Sequence, residues 1–236
     1  MSMNKILLVG CGHMGSALLN SWHKNKSYNI SVIDPKNYKN LKKKYYNNVS
    51  IYKAFKEIKI IHEFNTIVFA IKPQVAKEVI SQFNYLSSKK ILFVSIVAGK
   101  KIDFINKYLN CSHQIIRAMP NMPALVLKGM TCLISNNMTT EKNKKIVESL
   151  FQCVGKTIWL KKESDIDKVT AISGSGPAYY FLFIEHLISE SIKLGLKPKV
   201  AKELIYQTGL GSIDLLTNNT KSAHELRKNI VVKGGT

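Results

Sequence analysis

The sequence predicts an α/β domain, a mostly parallel sheet with helical crossovers, followed by a smaller all-helical domain. Three observations carry that expectation. Short apolar runs of strand length alternate with helix-period segments through the first two thirds of the chain. Strand signals then stop near residue 162, and long helical patterns take over. The composition is that of an ordinary globular protein, 45% hydrophobic and 21% charged over 236 residues. This excludes a disordered chain, a fibrous repeat and a disulfide-stapled mini-protein. A membrane-spanning helix needs about 20 apolar residues. The longest apolar runs, at 91–99 and 177–184, are shorter. With no secretory h-region after Met1, the expected location is cytoplasmic, with no membrane partner.

Taken in order, residues 5–10 (KILLVG) form a buried-type strand, and 14–24 place Met14, Leu18, Leu19 and Trp22 on one helical face. Residues 29–34 (NISVID) form a second strand that Pro35 ends, and 49–52 a short third. Residues 66–71 (TIVFAI) form a fourth strand, followed by a helix to about Phe83. Strands follow at 91–97, 114–118 and 131–135, then a helix at 141–153 and a closing strand at 157–160. This alternation predicts βαβ units. Beyond the boundary at 162, helices are expected at 165–172, 177–194, 199–216 and 222–229. Pro177 in a first turn and Gly195 just past an end suit the longest of them. Residues 178–184 are apolar on nearly every face, which predicts burial against a second chain.

The net charge of +20 raises nucleic acid as a partner. The 35 basic residues include only two arginines, Arg117 and Arg227; the lysines are scattered and no aromatic platform interleaves them. Readers of nucleic acid favour the arginine fork, so none is expected to bind. The four cysteines, Cys11, Cys111, Cys132 and Cys153, have no metal spacing and are expected to be reduced and mostly buried. The histidines also lack metal spacing, so no metal is expected.

Gly10-Cys11-Gly12-His13-Met14-Gly15 is a GxGxxG between a strand and a helix, and Asp34 ends the next strand 19 residues after Gly15. That context marks a Rossmann-type dinucleotide site. Gly10 serves the tight turn, Gly12 admits the pyrophosphate, and Gly15 lets helix and strand pack closely. The helix N-terminus offers N–H groups to phosphate. Asp34 is expected to bond the adenosine ribose hydroxyls and to repel a 2′-phosphate, a lean toward NADH that Lys36 opposes. Ala70-Ile71-Lys72-Pro73 ends the fourth strand, and the small residues around Ala98 end the fifth; both stand where a doubly wound sheet binds ligands. Two further segments, RAMPNMP (117–123) and SGSGPAY (173–179), read as a rigid loop and as a hinge or anion-holding turn. The terminal Lys233-Gly234-Gly235-Thr236 can form an anion nest.

In this order and at these spacings, GCGHMG, AIKP, VAG, RAMPNMP, SGSGPAYYF and the final GGT resemble the pyrroline-5-carboxylate reductase family over essentially the whole chain. The resemblance implies NADH- or NADPH-dependent reduction of L-1-pyrroline-5-carboxylate to L-proline. It implies a helical dimerisation and substrate domain over 163–236 after a Rossmann-type domain over 1–162. It also implies active sites completed across a homodimer, and larger rings of dimers. By position, Gly10–Gly15, Ala70, Ile71, Lys72 and Pro73 correspond to cofactor contacts, and Asn229, Gly234, Gly235 and Thr236 to the substrate loop. Asp34 departs from the family's Ser, Thr or Asn, and Val232-Lys233 from its Ser-Pro. The hydroxyl that relatives place at the imine nitrogen falls one residue beyond Thr236. A domain truncated at that end, with its catalytic group unassigned, is therefore expected.

A cyclic imine protonates readily, so the protein's tasks are expected to be carboxylate binding, ring orientation and water exclusion. The alternative enzyme, a β-hydroxyacid reductase of the same two-domain plan, uses a lysine on its long helix. Residues 173–190 contain none. The alternative from another class is a basic nucleic-acid-binding protein with a vestigial cofactor site.

Overall fold

The computed structural model describes residues 4–46, 48–86, 91–110 and 113–231. Eight strands form one sheet: β1 (Asn4–Val9), β2 (Tyr28–Ile33), β3 (Ser50–Tyr52), β4 (Thr66–Phe69), β5 (Leu92–Ser95), β6 (Gln114–Met119), β7 (Gly129–Ser135) and β8 (Gly155–Trp159). Their spatial order is β3-β2-β1-β4-β5-β6-β7-β8. Every neighbouring pair is parallel except β6 and β7. That exception follows from the connection. Between β6 and β7 the chain makes a short 3₁₀ turn, Met122–Val126, in place of a crossover helix, and so it reverses.

The apolar strand runs are buried on both faces, as a covered parallel sheet requires. Ile6, Leu8, Val32, Val68 and Val94 face α1 (His13–Trp22) and α5 (Glu141–Gln152), where Trp22 meets Phe151 edge-on. Leu7, Val9, Ile67, Phe69 and Phe93 face α3 (Ala76–Ser81) and α4 (Ile102–Leu109). The alternation along β1 thus sorts neighbouring residues into two separate cores. Neither α4 nor α2 (Tyr38–Lys44) is among the helices expected from sequence. α2 buries only Leu41, too thin an apolar stripe to show as a period.

The chain divides into two compact units, 1–177 and 178–236. Residues 163–177 belong with the first unit for two reasons. α6 (Asp165–Val169) buries Ile166 in the same apolar core as Phe93 and Ile105. Glu163 also accepts hydrogen bonds from Arg117 Nη1 at 3.1 Å and from the Ile102 backbone N–H at 2.9 Å. Thr170–Gly174 then forms a π turn.

The second unit comprises most of α7 (Gly176–Lys193), together with α8 (Pro198–Thr217) and α9 (Ala223–Ile230). A full capping box between Ser222 and Glu225 starts α9. The apolar stretch of α7 lies open in the single chain: Tyr179, Tyr180, Phe181, Leu182 and Phe183 are each more than half exposed. Apolar surface of that extent marks an interface. No described helix is long and apolar enough to cross a membrane, and no described group of three His, Cys, Asp or Glu is placed to hold a metal.

Arg117 is 3% exposed, so removing its partner strands a buried charge. Glu163→Ala is expected to lower stability by about 3 kcal/mol. Glu163→Gln, which keeps an acceptor for both donors, should lose less; urea midpoints of the two variants measure the difference.

Candidate dinucleotide-binding site

The loops that follow β1, β4 and β5 leave the sheet at one edge, because the three strands run parallel. Ligands of such sheets bind beyond the carboxyl ends, where the order of strands reverses, here between β1 and β4. The Gly10 N–H bonds to the Ile33 carbonyl at 2.8 Å, and the Ala70 N–H to the Val9 carbonyl at 2.8 Å. Gly10 has φ +92°, and a Cβ there would lie 2.6 Å from the Ala70 oxygen and 2.8 Å from Ile71 Cγ2. A Cβ on Gly15 would lie 2.5 Å from the Gly10 oxygen. The turn, the start of α1 and the end of β4 are therefore pressed together at backbone distance.

Gly12 differs from both. A Cβ there meets nothing within 4 Å. It precedes α1, whose first turn has no side-chain cap. Open space in front of unpaired helix N–H groups suits a pyrophosphate. His13 and Gly12 are exposed and Met14 is half-buried. Lys72 is exposed where it precedes the 3₁₀ turn Pro73–Val75, and Ala98 is exposed after β5. These residues fit a dinucleotide laid across the strand ends as an open groove. Two clefts of about 510 and 380 Å³ lie elsewhere, one beside His23 and Lys44, the other beside Ser31 and Glu57.

Asp34 is 6% exposed. Its Oδ1 accepts the backbone N–H groups of Lys36 (2.9 Å) and Asn37 (2.8 Å). Its Oδ2 accepts the Cys11 N–H (2.7 Å) and Asn37 Nδ2 (3.2 Å). Lys36 stands exposed at the same turn. The signal for this role was present in the sequence: Asp before Pro starts a turn that closes on the Asp side chain. Asn37 and Ser16 stand outside the residues expected from sequence. Asn37 Nδ2 and Ser16 Oγ each donate to the Cys11 carbonyl at 3.1 Å. Burial pushes the Cys11 thiol above its ordinary value, an effect that the Ser16 hydroxyl moderates and Asp34 reinforces.

Asn121, within RAMPNMP, has a role that the sequence analysis leaves unassigned. Its Nδ2 donates to the Ser173 carbonyl at 3.1 Å, and its Oδ1 accepts the Met130 N–H at 2.8 Å. It thereby ties the SGSG turn to the end of β6, which runs parallel to β5 and ends at the same sheet edge. The fork of Arg117 is turned inward to Glu163. Asn229 is exposed on α9, in the second unit. Gly234, Gly235 and Thr236 lie outside the described residues.

Two family profiles match the chain: "NADP oxidoreductase coenzyme F420-dependent" over residues 5–99 and "Pyrroline-5-carboxylate reductase dimerisation" over residues 163–236. A pyrroline-5-carboxylate reductase of Haemophilus influenzae is 32% identical over 234 residues, 98% of this chain and 85% of that protein. The solved pyrroline-5-carboxylate reductase of Coxiella burnetii superposes with TM-score 0.88 at 32% identity, covering 100% of this chain and 87% of that one. The Plasmodium falciparum pyrroline carboxylate reductase, solved with NADP bound, gives TM-score 0.86 at 32% identity with the same coverage.

The contrast between the glycines is testable. Gly12→Val should fold normally and lose NADH and NADPH binding, because its side chain takes only the open space. Gly15→Ala should instead destabilise the fold by about 2–3 kcal/mol, since its Cβ would meet backbone. Fluorescence titration and urea unfolding distinguish the two; unchanged affinity in Gly12→Val removes the pyrophosphate assignment.

Proposed function

The chain belongs to the pyrroline-5-carboxylate reductase family, and on that premise we propose how its residues divide the work of reducing L-1-pyrroline-5-carboxylate to L-proline. The enzyme is an oxidoreductase of proline biosynthesis that uses a nicotinamide dinucleotide. One observation supports this reading most directly. The glycine turn, the open N-terminus of α1 and the Asn121-clamped turn at 170–174 share one sheet edge.

Gly10, Cys11, Gly12, His13, Met14 and Gly15 hold the pyrophosphate, with Gly12 as the point of approach. Ala70, Ile71, Lys72 and Pro73 flank the ribose–phosphate path, and Ala98 lies where a flat ring needs a small neighbour. When bound, the dinucleotide supplies the hydride. The chain's own contribution is to bind, orient and exclude water. The family resemblance assigns Asn229, Gly234, Gly235 and Thr236 to the substrate carboxylate. A readily protonated imine needs little acid catalysis, and this reading assigns no proton donor.

The exposed Lys36 stands at the adenosine end, where its charge favours a 2′-phosphate, so comparison of NADH with NADPH reads its pull. Residues 163–236 match the family's dimerisation domain, and the functional unit is a homodimer. The exposed aromatic face of α7 supports its place in that interface. A ring of dimers and a cytoplasmic location complete the proposal. Cys11, Cys132 and Cys153 are free thiols, which supports a reducing compartment.

Oxidation of NADH or NADPH should depend on added pyrroline-5-carboxylate and yield proline in equal amount. A protein that binds dinucleotide but shows no imine-dependent oxidation with either cofactor overturns the assigned reaction.

A further inference from the structure

The Cys11 peptide is held from both ends. Its N–H donates to Asp34 Oδ2, and its carbonyl accepts from Asn37 Nδ2 and Ser16 Oγ. Fixing that carbonyl fixes the Cys11–Gly12 peptide plane, because the plane is rigid. It therefore fixes the direction of the Gly12 N–H, at the position open to a ligand. Asp34 and Asn37 both stand on the turn after β2, at the adenosine end of the site. Ionised Asp offers about four acceptor positions. All four are matched by donors from Cys11, Lys36 and Asn37. A ribose hydroxyl could bond to this carboxylate only by displacing one of them.

We propose that Asp34, with Asn37, is a positioning residue: through Cys11 it presets the glycine turn for the pyrophosphate, and it does not choose between NADH and NADPH. The proposal rests on the dinucleotide reading above. It separates two roles that sequence reasoning merges at the acid after β2. A ribose ligand senses the 2′ substituent. A turn-positioning residue senses only the pyrophosphate, which both cofactors carry in the same form. The buried, charge-assisted bond to the Cys11 N–H is the strong element of the arrangement. Asn in place of Asp34 either turns its amide N–H toward another donor at Cys11 or gives up the bonds to Lys36 and Asn37.

The test uses the full chain and three measurements: dissociation constants for NADH and NADPH by fluorescence titration, KM and kcat with each cofactor, and the urea midpoint. Asp34→Asn should weaken both dinucleotides about tenfold, in line with the loss of one charge-assisted hydrogen bond. The ratio of the two dissociation constants should stay within about threefold, and kcat at saturating cofactor within about twofold, since the reacting ring is held elsewhere. Asn37→Ala keeps the Asp34 charge and removes the donor to the Cys11 carbonyl. It should weaken both cofactors by about threefold or more, also without changing their ratio. This second variant decides the matter if Asp34→Asn does not fold. Tighter NADPH binding alongside weaker NADH binding in Asp34→Asn overturns the proposal and makes Asp34 a ribose ligand. A lowered urea midpoint with both affinities unchanged also overturns it, leaving a structural role only. Unchanged affinities in Asn37→Ala overturn it likewise. A wild-type protein that binds neither dinucleotide overturns the underlying reading, and the present proposal with it.

Discussion

The approach of the α1 backbone to the β1 turn is the constraint on which the rest of the site depends. The space for a Cβ on Gly15 is occupied by the Gly10 carbonyl, and the space for one on Gly10 by the end of β4. With those two side chains absent, the first turn of α1 sits flush against the strand ends. Its free N–H groups then face the crevice where the sheet reverses its order. Any larger residue at either place would push the helix away, and the helix dipole would point into solvent. The same contact helps seat Leu18 and Trp22 against the sheet, so the geometry of the site and the packing of one core face have a common origin.

Around that contact, short polar links hold the loops in register. Asp34 and Asn37 join the turn after β2 to the turn after β1. Asn121 joins the turn after β6 to the start of β7 and to the π turn at 170–174. Glu163 joins β6 to the start of α4. Each link satisfies groups that would otherwise be costly to withdraw from water. Several of the loops along this sheet edge are therefore held by buried or part-buried hydrogen bonds as well as by chain connectivity. Pre-organisation of that kind suits a reaction whose chemistry is carried by the cofactor and whose protein task is placement.

The helical unit follows a different physical logic. α7 and α8 together bury very few of their own apolar side chains in the single chain: only Gly176 and Ala201 are fully buried along them. A unit of this size cannot bury enough surface alone. The residues matched by the family's dimerisation profile include this exposed stretch. An apolar stretch without an amphipathic stripe leaves the isolated helix unsatisfied.

Much of this was legible in the residues. The strand runs, the helix after the glycine turn and the switch to an all-helical region depend on local apolar periodicity, which the sequence carries directly. Gly10 and Gly15 were legible because backbone approach demands the absence of a side chain. α2 was not, because one buried residue leaves no period. That residues 163–177 pack with the first unit was not legible, because Glu163 finds its partners 46 and 61 residues earlier in the chain, in Arg117 and Ile102. The sequence alone thus determined which apolar runs become strands, that a glycine turn joins β1 to α1, and that an all-helical region follows. Only the tertiary structure decided where Asp34, Asn37, Asn121 and Arg117 direct their polar atoms. A hydrogen bond is directional and short, and its partner is whichever group the fold brings within about 3 Å, irrespective of separation along the chain.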